Sequence, residues 1–187
     1  MGAQPKSDQQ YSYADYLAWE LAEGERFELI YGEAYGMAAP GLRHQSIQIA
    51  LASQFFNFLE GKPCKVYSAP VDVRLFYKED NSDDTVVQPD IVIVCDEKKR
   101  APESIHGAPD LVIEILSPSN TVNEMERKLL LYLKAGVQEY WVVNPENNSV
   151  IVYNFKDKGI YGYKNDDNIT VATLPGLVIS LNRVFAE

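Results

Sequence analysis

Cysteine is scarce in this sequence, which contains Cys64 and Cys95 among 187 residues. The two residues lie in unrelated contexts and show no C-x-x-C spacing, which argues against a zinc site or a disulfide framework. We therefore expect two free, buried thiols.

Long hydrophobic runs are also absent. No stretch approaches the roughly 18 uninterrupted apolar residues of a membrane-spanning helix, and the first residues lack the basic start and apolar core of a secretory signal. The expected protein is soluble and cytoplasmic. Its hydrophobic content of 46% can bury a core, and the length suggests one domain over 1–187. Within it we expect an N-terminal helical extension (1–26), a core (27–145) and a C-terminal β extension (146–187).

Positive charge is outnumbered, with 17 Lys and Arg residues against 27 Asp and Glu residues and a formal net charge of −10. Repulsion of this kind opposes general affinity for polyanions, so a nucleic-acid partner would have to meet a local basic patch. Lys98–Arg100 and the Arg127–Lys128 pair are two candidates. Such clusters are more often ordinary solvated charge.

Hydrophobic periodicity predicts the order helix, hairpin, helix, three strands, helix, strand and hairpin. The segment from Ile113 to Trp141 has the layout of a βαβ crossover, which predicts a mixed sheet with helices on its faces. The run Leu129–Leu133 is expected in the core because it is apolar on every side. Predicted helices lie near 12–23, 42–59 and 121–135, and predicted strands lie within 27–30, 34–37, 64–77, 85–96, 110–117 and 139–145, with a hairpin from 150 onwards.

Two carboxylates interrupt or begin apolar strands: Asp90 in QPDIVIV and Glu114 in DLVIEIL. A carboxylate within a strand covered on both faces needs a partner, because burying an unpaired charge is costly. If the two strands are neighbours, the acids meet, and a cation between them would relieve their repulsion. Hard oxygen ligands suit Mg²⁺ or Mn²⁺. Lys128, early in the following helix, could orient an attacking water or stabilise an oxyanion.

Each candidate also has a structural interpretation. Asp90 could cap a strand entry, Glu114 could form a salt bridge with an arginine such as Arg74, and Lys128 could face solvent. Further residues could either join the site or have turn, surface, loop and capping roles: Glu33, Asp72, Gln88 and His44.

These residues lie in segments that resemble the Uma family of restriction-endonuclease-like proteins, which is assigned to the PD-(D/E)XK nuclease superfamily. The likeness extends over most of the chain and is carried by QPD (88–90), GAPDLVIEILSPSN (107–120), AGVQEYWVVNP (135–145), and segments 27–45, 69–76 and 174–185. It implies an α/β (α+β) fold with a restriction-endonuclease-like mixed β-sheet flanked by helices, and peripheral β-hairpins.

The resemblance further implies a metal-dependent endonuclease in which Asp90 and Glu114 bind Mg²⁺ (or Mn²⁺) and Lys128 assists the attacking water. The superfamily's usual lysine would stand at Leu116, so its role corresponds to Lys128 on the next helix. Two departures accompany this shift: Glu124 stands where aspartate is more usual, and Met125 replaces a common basic residue.

The implied substrate is nucleic acid, most readily DNA, and a homodimer is expected because cutting two strands calls for two active sites related by a twofold axis. The alternative is a catalytically weak or inactive nuclease-fold module, also dimeric, that binds or acts as a scaffold. The acidity of the chain favours this alternative. Convergence of Asp90, Glu114 and Lys128 around an open cleft would favour the enzyme.

Overall fold

The fold is given by a computed structural model that describes residue 5 and residues 9–186. Parts of both predicted extensions, residues 1–4, 6–8 and 187, lie outside the described residues. Within the described ranges, no helix is long and apolar enough to cross a membrane. The helices are α1 (Tyr13–Leu17), α2 (Leu42–Leu59), α3 (Val122–Ala135) and α4 (Leu181–Val184), with a 3₁₀ turn at Glu97–Lys99.

The strands are β1 (Arg26–Ile30), β2 (Glu33–Met37), β3 (Lys65–Ser68), β4 (Asp72–Arg74), β5 (Val86–Val87), β6 (Ile91–Val94), β7 (Ser104–His106), β8 (Leu111–Ile115), β9 (Glu139–Asn144), β10 (Ser149–Asn154), β11 (Gly159–Lys164), β12 (Asn168–Thr170) and β13 (Val178–Ser180). In the described part of the chain they form three sheets. The six-stranded sheet has the order β11-β10-β9-β8-β6-β3, the five-stranded sheet has the order β2-β1-β5-β4-β7, and β12 pairs with β13.

The mixed sheet flanked by helices is confirmed. Strands β8 and β9 pair in parallel and are joined through α3, which is the expected strand–helix–strand unit, whereas β6 and β8 are antiparallel neighbours. This pairing places β6, which Asp90 directly precedes, beside β8, which contains Glu114, within the six-stranded sheet.

Strands β6, β8 and β9 of the six-stranded sheet are covered on both faces, as their mostly apolar sequences predict. Alternate residues of β6 and β8 point to opposite faces. One set, which includes Ile113, packs with α2 in one hydrophobic cluster. The other, which includes Val112, packs with α3 and with the five-stranded sheet in a second cluster. Glu114 shares the face of Val112 and is therefore directed towards α3.

The helices begin and end near their signals. Ser12 and Asp15 form a capping box, but α1 ends at Leu17, well before the expected end near residue 23. Helix α2 has the predicted bounds. Helix α3 is capped by Thr121 and ends at Ala135, and the φ of 90° at the following Gly136 suits glycine.

The prediction that residues 129–133 avoid water throughout is wrong. Leu131 and Tyr132 are buried, but Leu130 and Leu133 are 57% and 51% exposed. A helix with one face against the sheet must turn the residues of its other face outward, whatever their polarity.

Two predicted strands are each divided in the structure. The 64–77 segment breaks at Ala69–Val71, and the 85–96 segment breaks at Gln88–Asp90, so that each contributes one strand to each large sheet. Both breaks contain proline, which cannot donate to a strand ladder. The predicted loop 96–109 contains a short strand, β7, which pairs in parallel with β4.

The expectation of free thiols is wrong. Cys64 and Cys95 form a disulfide. They lie directly beyond the paired residues Lys65 and Val94 of β3 and β6, so the antiparallel register brings opposite each other two cysteines that are 31 residues apart in the chain.

Candidate active site

Asp90 and Glu114 come together through the register of β6 and β8. Ile91 pairs with Ile113, and one further step of this antiparallel register places Asp90 opposite Glu114. Directly opposed residues present their side chains on the same side of a sheet. Both acids line a cleft of 280 Å³, which we call the Asp90 cleft.

Asp90 is held in place from two sides. Its Oδ2 accepts a hydrogen bond from the backbone N of Ile115 at 2.7 Å and lies 3.2 Å from Nε2 of His44 on α2. Its backbone carbonyl accepts from Gln48 Nε2 at 2.8 Å and from the backbone N of Ala69 at 3.0 Å. These contacts fix Asp90 at the N-terminal end of β6, while its side chain remains 16% exposed.

Glu114 has the partner that its apolar strand requires. Its Oε1 accepts from Lys128 Nζ at 2.9 Å and from the Tyr132 hydroxyl at 2.5 Å. Lys128 and Tyr132 lie one helical turn apart on α3, so a single helix face supplies both donors. Arg74, the alternative partner considered from the sequence, pairs with Asp83.

Glu28 on β1 is a site residue that sequence reasoning missed. Its Oε1 accepts from Lys128 Nζ at 3.1 Å and from the backbone N of Gln88 at 2.9 Å, and its Oε2 is 3.1 Å from Lys128 Nζ. The side chain is buried. The signal was present, because Glu28 interrupts the apolar run FELI as Glu114 interrupts LVIEI.

The charges in the Asp90 cleft do not cancel. Burial, together with the carboxylates of Glu28 and Asp90, raises the pKa of Glu114 to about 7, although Lys128 opposes this rise. Burial alone would lower the pKa of Lys128, but Glu114 and Glu28 outweigh it and hold that pKa above its ordinary value. Lys128 is therefore a firmly charged donor, and a further cation between Asp90 and Glu114 would favour the ionised form of Glu114.

The donor set fits a hard divalent cation. Among the described residues, no group of three or more His, Cys, Asp and Glu is placed to hold a metal. Mg²⁺ is commonly bound by one or two carboxylates with water and substrate oxygens as the remaining ligands. Asp90 and Glu114 each use one oxygen in the hydrogen bonds above, so Asp90 Oδ1 and Glu114 Oε2 accept none from the described residues.

The four residues left open by the sequence divide between two places. His44 joins the Asp90 cleft through its contact with Asp90. Burial lowers the pKa of His44 and the hydrogen bond to Asp90 raises it, and the net result lies above the ordinary value. Glu33 accepts a hydrogen bond from Tyr35 and does not line this cleft. Asp72 and Gln88 contact each other in a second cavity.

Comparison with known proteins agrees with this architecture. A protein of Anabaena variabilis, whose crystal structure is described as that of "a putative nuclease belonging to DUF820", superposes with a TM-score of 0.76 at 22% identity, covering 94% of this chain and 98% of that one. An uncharacterized protein of Synechocystis sp. is 25% identical over 175 residues, which are 91% of this chain and 89% of the relative.

A family model matches residues 13–182, almost the whole chain. The matched range contains both acids of the Asp90 cleft, Lys128 and Glu28. The chain belongs to the Uma2 family, which is described as "Putative restriction endonuclease".

Proposed function

We propose that this protein is a divalent-metal-dependent endonuclease that hydrolyses phosphodiester bonds of nucleic acid, with Asp90 and Glu114 as the metal ligands and Lys128 assisting the attacking water. The observation that carries the proposal is the meeting of two carboxylates from adjacent strands in an open cleft, with Lys128 Nζ 2.9 Å from Glu114. Membership of the Uma2 family supports the same reaction class.

Each side chain has a distinct task in this mechanism. When bound, Mg²⁺ or Mn²⁺ supplies Lewis acidity at the phosphate and a bound water of lowered pKa. Lys128, charged throughout, donates to the attacking water or to the oxyanion that develops on phosphorus. Glu28 and Tyr132 are positioning residues, since Glu28 holds Lys128 and Tyr132 holds Glu114. His44 similarly orients Asp90.

Substrate must approach a chain with a formal net charge of −10. Arg26 lines the Asp90 cleft, and Arg127 on α3 lies over the Tyr35 ring at 4.1 Å beside it. These two guanidinium groups supply local positive charge where the phosphate would enter. Such contacts position the backbone of a nucleic acid and do not by themselves select a sequence or distinguish DNA from RNA.

The test is an assay on DNA and RNA substrates with Mg²⁺ or Mn²⁺. Asp90→Asn and Glu114→Gln should each lower the cleavage rate by about 100-fold or more, because each removes an anionic metal ligand. Glu126→Gln is the matched control, since Glu126 is an exposed acid on α3, and it should cleave at the wild-type rate. Residual activity equal in wild type, Asp90→Asn and Glu114→Gln would refute the assignment.

A nuclease-fold scaffold without activity is the second candidate. It is favoured by the internal pairing of Lys128 with Glu28 and Glu114, which partly neutralises the buried acids without a metal. Mn²⁺ titration by calorimetry separates the two, because the enzyme should bind Mn²⁺ and Asp90→Asn should not. The homodimer and the cytoplasmic location stay predictions. Light scattering of the purified chain tests the dimer.

A further inference from the structure

A second cavity, of 320 Å³, is lined by Gln88, Asp72 and Arg100, with Tyr67 and Pro70 in its wall. We call it the Gln88 pocket. Gln88 lies two residues before Asp90, and its backbone N is bound by Glu28 of the Asp90 cleft. The short segment between β5 and β6 therefore places one side chain in each cavity.

The Gln88 pocket contains polar atoms without partners. Gln88 is only 9% exposed, and its Oε1 is buried with no hydrogen bond within the described part of the chain. The same holds for Nε of Arg100, and the guanidinium group forms no ion pair with a described residue. Buried polar groups are nearly always satisfied, so unpaired ones in a cavity indicate a partner from outside the fold.

The orientation of the Gln88 amide follows from its neighbours. Asp72 Oδ1 accepts from Gln88 Nε2 at 2.9 Å and from the Tyr16 hydroxyl at 3.1 Å. A carboxylate only accepts, so the amide nitrogen, not the oxygen, must face Asp72. The same nitrogen donates to the Tyr16 oxygen at 3.1 Å. Gln88 Oε1 is thereby turned away from both, and it accepts no hydrogen bond from the described residues.

We propose that the Gln88 pocket takes an unpaired guanine base of the substrate, an inference that rests on nucleic acid being the substrate. Gln88 Oε1 and Asp72 Oδ2 offer two acceptors, and Arg100 offers a donor. Guanine alone among the common bases presents two adjacent donors, its ring N–H and its amino group, beside the O6 and N7 acceptors that arginine recognises. Tyr67 also lines the pocket and is the aromatic side chain on which a base could stack.

The chemistry of the pocket favours a base over a phosphate. Asp72 and Glu103 both line it, and two carboxylates against one guanidinium repel a phosphoryl group while accepting neutral N–H donors. The phosphate groups of the same nucleic-acid strand would instead contact the basic residues around the Asp90 cleft.

Calorimetric titration of the full chain with guanosine, without divalent metal, tests the inference. We expect guanosine to bind, inosine, which lacks the amino group, to bind about fivefold more weakly, and adenosine not to bind. Arg100→Gln should weaken guanosine binding about tenfold. Lys98→Gln, the control, removes an equal charge from an exposed neighbour and should leave it unchanged. Equal affinity for guanosine and adenosine, or full affinity in Arg100→Gln, would overturn the inference.

Two further readouts keep the test decisive. If Arg100→Gln fails to fold, Arg100→Lys and the wild-type comparison of guanosine with inosine still give an answer. Guanosine binding without any cleavage would overturn the proposed reaction, while the Gln88 pocket would remain a guanine-binding site. Cleavage of nucleic acid without guanosine binding would overturn this inference alone.

Discussion

The Asp90 cleft and the Gln88 pocket are built from the same short segment but differ in how completely their buried polar groups are paired. In the cleft, Lys128 joins Glu114 to Glu28, so these buried charges have internal partners, although His44 Nδ1 has none among the described residues. In the pocket, both Gln88 Oε1 and Arg100 Nε are without a described partner. The cleft therefore holds its charged side chains in fixed positions before any ligand arrives, which is the arrangement that the proposed catalysis needs. In the pocket, the proposed base would supply the missing hydrogen bonds.

The largest loss of stability is expected when Lys128 of the Asp90 cleft is replaced. Lys128→Met leaves Glu114 and Glu28 buried without their cation and should lower the free energy of unfolding by about 3–5 kcal/mol. Urea denaturation measures the change. Lys134→Met, on the exposed side of α3, is the control and should cost less than about 1 kcal/mol. A loss of that small size in Lys128→Met would contradict the view that the acids depend on this lysine.

The pH dependence of stability should come next in size. The pKa of Glu114 is about 7 in the folded chain against an ordinary value of 4.5, so between these pH values the folded state binds more protons than the unfolded state. Stability must then fall as pH rises through this window. In metal-free buffer, the free energy of unfolding of the wild type should fall by about 1–3 kcal/mol between pH 4.5 and 7, relative to that of Glu114→Gln. Guanidinium titrations at several pH values measure both free energies of unfolding. If they change in parallel with pH, the raised pKa of Glu114 is refuted.

The smallest effect is expected in the Gln88 pocket. Arg100→Met removes a buried donor that has no described partner, so the free energy of unfolding of the unliganded protein should change by no more than about 0.5 kcal/mol, or rise slightly. The same urea experiment measures it beside Lys128→Met. A loss above about 2 kcal/mol would show that Arg100 supports the fold itself, and the contrast between the cavities would disappear.

Much of the site was predictable because its signals are local. Glu114 interrupts an apolar strand and needs a partner. Lys128 lies in the helix that directly follows this strand in the chain, so a contact between the two could be expected. Asp90 was expected beside Glu114 on the condition that their strands are neighbours, and the pairing of β6 with β8 meets that condition. These inferences require only periodicity and the cost of burying charge.

Other features could not be read from the chain. Glu28 carries the same signal as Glu114 but was read as part of a hairpin, because nothing local shows that β1 faces α3. The two divided strands also look continuous in sequence, and only the sheet pairing shows that β3 and β4 belong to different sheets. The disulfide was missed for the same reason, since its cysteines are brought together by strand register.

The sequence by itself determined that certain residues needed partners, because a carboxylate in an apolar strand costs free energy wherever the strand packs. It also determined where α2 and α3 lie, because helical periodicity is a local property. The tertiary structure alone decided which partners were used: Glu28 meets Lys128 across 100 residues of chain, and Gln88 and Arg100 share a cavity. Such distant pairings depend on how two sheets pack, and no local pattern of residues encodes that arrangement.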